Sequence, residues 1–311
     1  MKIENVCIFG GSGFVGRHLA NILTDQEIYL RIPTRNYERA KELLVIPTTD
    51  LIEANIHDEA ELDRVLAGMD AVVNLVGILH GDFHTVHVEL PRKIVAACKR
   101  NGIKRLLHMS ALHAGSAQPS GYLRSKGEGE EVVVTSGLNV TSFRPSLIFG
   151  PGDASLNLFS RLGRLPILPL ASPDAKFQPV FVEDVAHAFA ASLTAPETFG
   201  QCYDLCGPKR YTLRELVQYA AQTAGHDPAV VGLGDRLSHL EAAMMEILPG
   251  KLMSVDNYYS MKIDNVCDCN EPAALTQVWG ISPTSLEAVA PLYLARQTPH
   301  ERYDYFRHWT R

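Results

Sequence analysis

The sequence lacks a segment that could cross a membrane or direct export. Its apolar run at 71–79 is far shorter than the about 20 apolar residues that a membrane-spanning helix needs. The N-terminus shows no charged region followed by an apolar run and a cleavage site. We therefore expect a cytoplasmic protein without a transmembrane segment, or a protein of a matrix-like compartment from which a leader has been removed.

An excess of positive charge is also absent. The chain has 29 lysines and arginines against 35 aspartates and glutamates, which gives a formal net charge of −6. This balance does not provide the basic surface that nucleic-acid binding requires, so we expect no nucleic-acid partner. Apolar residues make up 46% and charged residues 21% of the chain, which is typical of globular domains and excludes a mostly disordered protein.

Cysteine is scarce, because six cysteines in 311 residues are too few for a disulfide scaffold. Four of them suggest a zinc site, namely Cys202, Cys206, Cys267 and Cys269. The first two lie in a predicted strand, however, and the last two stand closer together than zinc ligands usually do. The histidines around residues 80–87 have no carboxylate at ligand spacing. We therefore predict reduced structural thiols and no metal site.

Short apolar strands alternate with helical patterns over the first two thirds of the chain. Several strands are nearly continuous apolar runs, as expected for parallel strands that are covered on both faces. The alternation predicts an α/β fold with a doubly wound parallel Rossmann sheet. The predicted strands are Asn5–Gly10, Glu27–Pro33, Leu51–Ile56, Ala71–Gly77, Lys104–Ser110, Asn139–Pro145, Phe177–Val182 and Gln201–Cys206. The predicted helices include Phe14–Thr24, Asp58–Leu66, Thr85–Asn101 and Val185–Ala195.

The pattern changes after Gly150, where the sequence becomes rich in proline and glycine. We expect residues 1–150 to form the nucleotide-binding domain, with 177–205 returning to it. Residues 151–311 are expected to form a smaller, mostly helical substrate or partner domain. The segment 156–171 combines apolar residues with arginines, which fits either a lid over the substrate or an interfacial amphipathic segment.

A glycine-rich loop follows the first predicted strand and opens the first helix. Its glycines, Gly10, Gly13 and Gly16, have the spacing of a dinucleotide-binding loop. The first permits a tight turn, the second lets the backbone approach a pyrophosphate, and the third allows helix and strand to pack closely. The helix N-terminus then supplies N–H donors to the phosphates. The residues expected to bind the cofactor here are Gly10, Ser12, Gly13, Phe14, Val15 and Gly16.

The end of the second strand bears on the choice between NAD and NADP. An acid at this position bonds the adenosine ribose and repels a 2′-phosphate. Here no acid occurs before Glu38, and the guanidinium of Arg35 can clamp a phosphate with paired donors. The sequence therefore favours NADP(H) over NAD(H). The other expected cofactor contacts are Asn55 and Ile56 beside the adenine and Val76 and Gly77 under the ribose.

Tyr122 and Lys126 stand four residues apart, so they share one face of a predicted helix. An ammonium group beside a phenol lowers the pKa of the tyrosine from about 10. Such a tyrosine can exchange a proton with a carbonyl or an alcohol during hydride transfer. Ser110 ends a predicted strand, which is where ligands of open α/β sheets bind. We therefore predict a Ser–Tyr–Lys site.

Two further observations concern this motif. The pair Tyr258 and Lys262 repeats the spacing, but it lies outside the strand–helix alternation and is interpreted as structural. His108 and His113 flank Ser110, which makes them candidates for contacting a substrate.

These residues resemble those of the short-chain dehydrogenase/reductase superfamily, in its extended or atypical branch, which includes NAD-dependent epimerases and dehydratases. More closely, the chain is similar to the NAD(P)H-binding accessory subunits of respiratory complex I and their bacterial homologues. The motifs that carry the resemblance are Gly10–Gly16, Asn74–Gly77, Val86–Pro91, His108–Leu112, Tyr122–Lys126, Arg144–Ser146, Phe149–Gly152, Val182–Ala186 and Gln201–Leu213.

The resemblance implies a bound NADPH and a role for each site residue. Ser110 would polarise a carbonyl, Tyr122 would act as general acid and base, and Lys126 would tune Tyr122 and bind the ribose. Pro145 and Leu147 would offer backbone groups to the nicotinamide carboxamide. Some relatives lack the tyrosine, whereas this sequence keeps it, and relatives linked to quinone biosynthesis make a quinone-like or isoprenoid substrate one candidate.

Two functional hypotheses follow. In the first, the chain is an NADP(H)-dependent oxidoreductase, or an epimerase or dehydratase, that acts on a carbonyl, alcohol or quinone-like small molecule. In the second, it is a non-catalytic NADPH-binding assembly or sensor subunit associated with respiratory complex I or quinone biosynthesis, which leaves peripheral association with a membrane open.

Overall fold

The structure is a computed structural model that describes residues 2–234, 238–239, 241, 254–268 and 273–295. The described chain divides into two compact units. The first contains the residues up to Pro145 together with Val182–Leu205 and Ala273–Ser282. The second contains Ser146–Phe181 and the described parts of 206–272 and 283–311. The assignment of separate cofactor and substrate roles to two domains stays a prediction.

Strands occur in both units of the described chain. In chain order they are β1 (Asn5–Phe9), β2 (Tyr29–Thr34), β3 (Thr49–Glu53), β4 (Ala71–Asn74), β5 (Arg105–Met109), β6 (Asn139–Pro145), β7 (Ile148–Phe149), β8 (Ile167–Leu170), β9 (Lys176–Phe177), β10 (Val180–Phe181), β11 (Gln201–Leu205), β12 (Tyr211–Thr212) and β13 (Ala229–Gly232). The predicted strand Phe177–Val182 is therefore wrong in its extent, because its residues divide between two short strands and the start of a helix.

The helices alternate with these strands in the first unit. They are α1 (Phe14–Asp25), α2 (Tyr37–Ala40), α3 (Glu59–Leu66), α4 (Leu90–Arg100), α5 (Gly121–Val134), α6 (Ser155–Leu162), α7 (Val182–Ser192), α8 (Leu213–Thr223), α9 (Val255–Ser260), α10 (Ala273–Trp279) and α11 (Leu286–Leu294). Short 3₁₀ turns occupy Lys41–Val45 and Pro196–Thr198. No helix in the described residues is long and apolar enough to span a bilayer.

A seven-stranded parallel sheet forms the first unit, in the order β11-β6-β5-β4-β1-β2-β3. The order reverses between β1 and β4, which are neighbours although β2 and β3 lie between them in the chain. Parallel strands need crossover connections, and the helices between consecutive strands supply them. The predicted doubly wound Rossmann sheet is confirmed. Ligands of such sheets bind at the carboxyl ends of the strands near this reversal.

The apolar runs of the strands are buried because helices cover the sheet. Val6, Ile8, Val72, Leu106 and Leu107 have no exposed surface. One cluster of buried side chains joins β1, β4 and β5 to α3 and α4. Removal of these apolar side chains from water is the main contribution to the packing of these elements.

The predicted helix Thr85–Asn101 differs in its first turn, which is π-helical rather than α-helical. Residues Thr85–Glu89 form a π-helical turn, and α4 begins only at Leu90. The N–H of Leu90 donates to the carbonyl of Thr85, which is the longer spacing of a π turn. Pro91 has no N–H to offer the carbonyl of His87, so the α-helical bond at this point cannot form. The π turn lies beside the predicted site.

The described part of the second unit contains short sheets as well as helices. Strands β7 and β10 pair in parallel, as do β8 and β13, while β9 and β12 pair antiparallel. Leu168, Leu213 and Val217 form a small core between β8 and α8. In this unit Lys262 lies 4.9 Å from the ring centre of the buried Tyr258, so the second Tyr–Lys pair makes a cation–π contact.

The prediction of reduced thiols is wrong for two cysteines. Cys206 and Cys267 form a disulfide across 61 residues of sequence. Cys7, Cys98 and Cys202 are free, and Cys269 lies outside the described residues. The disulfide links the segment around Cys267 to the start of the loop after β11. The Cys267 N–H also donates to the Gln178 side chain. Pairing over such a distance cannot be deduced from cysteine spacing alone.

Candidate nucleotide-binding and active site

The glycine loop has the geometry that its spacing predicts. Gly10 has a φ of +78°, a left-handed conformation that favours glycine and allows the tight turn after β1. A Cβ on Gly16 would lie 2.5 Å from the backbone of Gly11, so only glycine permits this packing of helix against loop. Gly13 caps α1 without any side-chain hydrogen bond, and no acid occupies the first turn. The first N–H groups of α1 therefore remain open to an anion.

The other residues predicted near the adenosine lie after β2 and β3. Arg35 and Asn55 are exposed and Ile56 is half-buried. In the described chain no acid forms an ion pair with Arg35. The neighbouring side chain of Asn36 accepts a hydrogen bond from the Arg39 N–H and caps α2. Arg35 is thus left with a guanidinium that can contact a ligand.

Ser110 follows β5 immediately and is 3% exposed. Its backbone N–H donates to the Phe143 carbonyl, which fixes the residue beside β6. Its hydroxyl oxygen is buried without a hydrogen-bond partner in the described structure. A buried hydroxyl normally has a hydrogen-bond partner, so the Ser110 hydroxyl can donate a hydrogen bond to a ligand oxygen.

Lys126 reaches the same region from α5. Its ammonium donates to the Met109 carbonyl at 3.0 Å, one residue before Ser110. A Cβ built on Gly77 would lie 3.1 Å from Lys126 Nζ, so the loop after β4 passes directly beside this ammonium. Burial lowers the pKa of Lys126 to about 8, while Glu130 opposes the change. The structure therefore brings Gly77, Ser110 and Lys126 into one region.

The close approach of α5 to the neighbouring backbone depends on two further glycines. A Cβ on Gly127 would lie 2.5 Å from Gly115, in the loop after β5. A Cβ on Gly129 would lie 1.7 Å from the carbonyl oxygen of His87, in the π turn. Both distances are too short for any side chain, so these glycines set how deeply Lys126 is placed.

The pKa of Tyr122 is shifted in the opposite direction from the one that the sequence predicts. Burial raises its pKa to about 12, whereas the sequence predicted a pKa below the usual value. Removal from water penalises the phenolate, and Lys126 donates its hydrogen bond to the Met109 carbonyl. The expected depression of the Tyr122 pKa is therefore wrong for the chain as it stands.

His87 is a site residue whose place the sequence did not reveal. It is 2% exposed, and its Nε2 accepts a hydrogen bond of 3.0 Å from the Ile78 N–H. Its Nδ1 lies 2.9 Å from the Ser125 hydroxyl, which itself donates to the Tyr122 carbonyl. Because Nε2 is the acceptor, we assign the ring proton to Nδ1. His87 thus joins the loop after β4 to α5.

Burial also determines the charge of this histidine. It lowers the pKa of His87 to about 3, and the nearby Lys126 ammonium adds to the effect. The ring lies flat against Phe83 and meets the edge of Tyr122, with centroids 5.6 Å apart in both cases. A neutral imidazole with both nitrogens bonded is not available as a metal ligand, and no group of three or more metal-ligating side chains occurs in the described chain.

The contact of His108 with a substrate stays a prediction, and its surroundings are those of a core residue. His108 lies within β5, is 2% exposed and accepts a hydrogen bond from the Asn74 amide at 3.2 Å. Burial lowers its pKa to about 3, so it is a neutral core residue. His113 is half-buried and has a φ of +58°, and its contact with a substrate stays a prediction.

Pro145 and Leu147 already use their backbone carbonyls within their own units. The Pro145 carbonyl accepts from the Leu112 N–H, and the Leu147 carbonyl accepts from the Val180 N–H. Val76 donates its N–H to the Asn74 side chain. Contacts from Pro145, Leu147 and Val76 to a cofactor stay predictions.

The comparison with known proteins agrees with the prediction of a dinucleotide-binding loop. A family model described as NAD(P)H-binding matches residues 10–163. NADH dehydrogenase [ubiquinone] 1 alpha subcomplex subunit 9, mitochondrial, of Rattus norvegicus is 33% identical over 222 residues, which make up 68% of this chain and 59% of that protein. The chain thus spans about three fifths of this relative's length.

Two further similarities extend the comparison. Ceramide reductase of Caulobacter vibrioides is 28% identical over 242 residues, or 74% of each chain. The NADPH-dependent quinone oxidoreductase QOR2 of Escherichia coli, solved with NADPH, has a TM-score of 0.74 at 21% identity and covers 93% of this chain and 99% of its own. The latter likeness shows the fold alone. Together with the loop, the comparisons show an NAD(P)H-binding domain.

Proposed function

We propose that this chain is an NADP(H)-dependent oxidoreductase that acts on a carbonyl, alcohol or quinone-like small molecule through Ser110, Tyr122 and Lys126. The observation that carries the proposal is the buried, unpartnered hydroxyl of Ser110 at the carboxyl end of β5. The residue before it, Met109, holds the ammonium of Lys126. An enzyme of this type needs a hydroxyl donor, a proton donor and a cation at this edge of the sheet.

The residues present fit a dinucleotide. The uncapped N-terminus of α1 offers N–H groups to a pyrophosphate, and Gly10 and Gly16 keep the approach free of side chains. Lys126, whose ammonium lies beside Gly77, would bind a ribose hydroxyl. The exposed Arg35 supports NADP(H) rather than NAD(H), because it can pair with a 2′-phosphate. When bound, the reduced nicotinamide supplies a hydride.

The side chains of this site would divide the remaining work. Ser110 donates a hydrogen bond to the substrate oxygen and polarises the carbonyl. Tyr122 delivers the proton that this oxygen needs as the carbon is reduced, and the phenol is in the protonated state because burial raises its pKa to about 12. The positive charge of Lys126 would stabilise the tyrosinate that remains until solvent returns the proton.

The test is the variant Tyr122→Phe, assayed for NADPH oxidation with a panel of quinones and carbonyl compounds. Loss of a positioned proton donor is expected to reduce turnover by about 100-fold or more, with NADPH affinity nearly unchanged. Tyr258→Phe is the matched control, since it removes the hydroxyl of the second Tyr–Lys pair. Equal turnover by Tyr122→Phe and the wild type, or no turnover by the wild type with any compound of the panel, would rule out the catalytic role.

A second candidate is a non-catalytic NADPH-binding subunit of a respiratory or quinone-biosynthesis complex. It is favoured by the relative named as a subunit of NADH dehydrogenase. It predicts tight NADPH binding without turnover and recovery of the chain with a membrane complex after gentle extraction. A cytoplasmic location with peripheral membrane association accords with this candidate, whereas a free monomer in all fractions contradicts it.

A further inference from the structure

The loop between β4 and the π turn is folded against the site. The Ile78 N–H is bonded to His87, and the Phe83 N–H donates to the Gly81 carbonyl at 3.1 Å. The Asp82 carboxylate accepts hydrogen bonds from the N–H and the hydroxyl of Thr85. These bonds connect the segment 78–83 to the π turn.

An aromatic cluster connects this loop to Tyr122. The Phe83 ring stacks on His87, with centroids 5.6 Å apart and planes 13° apart. The same ring meets Tyr122 edge-on at 6.1 Å. Phe83 is only half-buried, so part of its ring remains free for contact beside the tyrosine. His87 holds the third side of this cluster and carries no charge, because burial lowers its pKa to about 3.

The charged groups next to this cluster are engaged elsewhere. The Asp82 carboxylate is bonded to Thr85, and the Arg124 guanidinium donates to the Gln118 and Pro119 carbonyls. Lys126 donates to the Met109 carbonyl. In contrast, the loop exposes an aliphatic side chain, since Leu79 is 55% accessible. Arg124 and Lys126 already donate to protein carbonyls, so a phosphate would have to compete with these hydrogen bonds for either cation.

We propose that the loop 78–83 binds the uncharged, apolar part of the substrate beside Tyr122, with Phe83 as the specificity-determining residue. The chemistry fits a flat ring or a long acyl chain that carries a carbonyl. Ring contacts of this kind are stabilised by both area and edge geometry. This inference rests on the proposed function, because it names the substrate class of the same site.

The experiment measures binding rather than turnover. The chain is saturated with NADP⁺, which offers no hydride, and titrated with 2-acetylnaphthalene or with its charged analogue 6-acetyl-2-naphthoate, followed by saturation-transfer NMR. We expect the neutral ketone to bind at least about tenfold more tightly than the carboxylate. Phe83→Ala is expected to weaken binding of the neutral ketone about tenfold and to leave the NADP⁺ affinity within about twofold. Phe83→Leu is expected to keep most of the affinity for the neutral ketone.

Two further variants make the result interpretable. Val45→Ala is the control, because Val45 is 84% exposed in the 3₁₀ turn after α2. Leu79→Glu adds a charge to the loop without removing a ring contact, so it should weaken the neutral ketone even if Phe83→Ala fails to fold. Equal affinity for the two ketones, no ketone binding, or unchanged binding in Leu79→Glu overturns the proposal. Ketone binding without Tyr122-dependent turnover would instead refute the proposed function and support the loop's specificity.

Discussion

His87 offers the sharpest test of how the site is held together. The substitution His87→Leu places an apolar side chain in the π turn and removes both ring nitrogens. The Ile78 N–H then loses its acceptor, while the Ser125 hydroxyl keeps the Tyr122 carbonyl as its partner. The cost is therefore concentrated at one backbone group, the amide next to the residue that lies beside Lys126.

The magnitude follows from that single unsatisfied donor. Leaving a buried donor without a partner costs about 1–3 kcal/mol, and we take about 2 kcal/mol for the half-buried Ile78. This free energy corresponds to about 30-fold faster amide exchange at Ile78, if exchange proceeds by local opening of the loop. The NADPH affinity should fall as well, because the same opening moves Gly77 away from the ammonium of Lys126.

Hydrogen exchange with residue resolution is the assay, and His87→Gln is the matched control. The amide oxygen of glutamine can reach the position of Nε2 and accept from the Ile78 N–H, although the stacking on Phe83 is lost. We expect exchange at Ile78 in His87→Gln to stay close to the wild type. An Ile78 exchange rate that is the same in His87→Leu and the wild type would refute the role of His87 in holding this loop.

Two other predictions concern the cofactor. Arg35→Ala should weaken NADPH binding by about tenfold or more and leave NADH binding unchanged, as measured by calorimetry, because a charge-assisted pair with the 2′-phosphate is lost. Equal losses for both nucleotides would mean that Arg35 does not contact this phosphate. Since the pKa of Lys126 is lowered to about 8, its ammonium is present below that pH and lost above it, so NADPH affinity should decline as pH rises through 8. Lys126→Met should remove this step, and a step that persists in the variant would assign it to another group.

The fold could be predicted from the sequence because its determinants are local. The apolar runs of β1, β4 and β5 indicate strands covered on both faces, and each is followed by a helical period. The three glycines of the nucleotide loop act within seven residues of one another. Their structural roles, a left-handed turn at Gly10 and a backbone contact at Gly16, follow from residue type alone.

The rest of the site depends on distances that sequence does not contain. His87 bonds to residues 9 and 38 positions away, through a π turn that replaces the expected first turn of α4. The disulfide spans 61 residues. The spacing of Tyr122 and Lys126 correctly suggested a shared helix face, but it could not show that Lys126 donates to a backbone carbonyl. The burial of a side chain, which is the largest cause of the pKa shifts of Tyr122, Lys126 and His87, is a tertiary property.

The raised pKa of Tyr122 gives the proposed chemistry a direction. A phenol with a pKa of about 12 is ionised in roughly one molecule in 10⁵ at pH 7, so the resting chain holds a proton donor. Reduction of a carbonyl consumes that proton, whereas oxidation of an alcohol needs the phenolate first. Forming the phenolate at pH 7 would cost about 7 kcal/mol unless a bound ligand displaced Lys126 from the Met109 carbonyl toward Tyr122. The protonated phenol of the resting chain therefore suits the reductive direction of the proposed reaction better than oxidation of an alcohol.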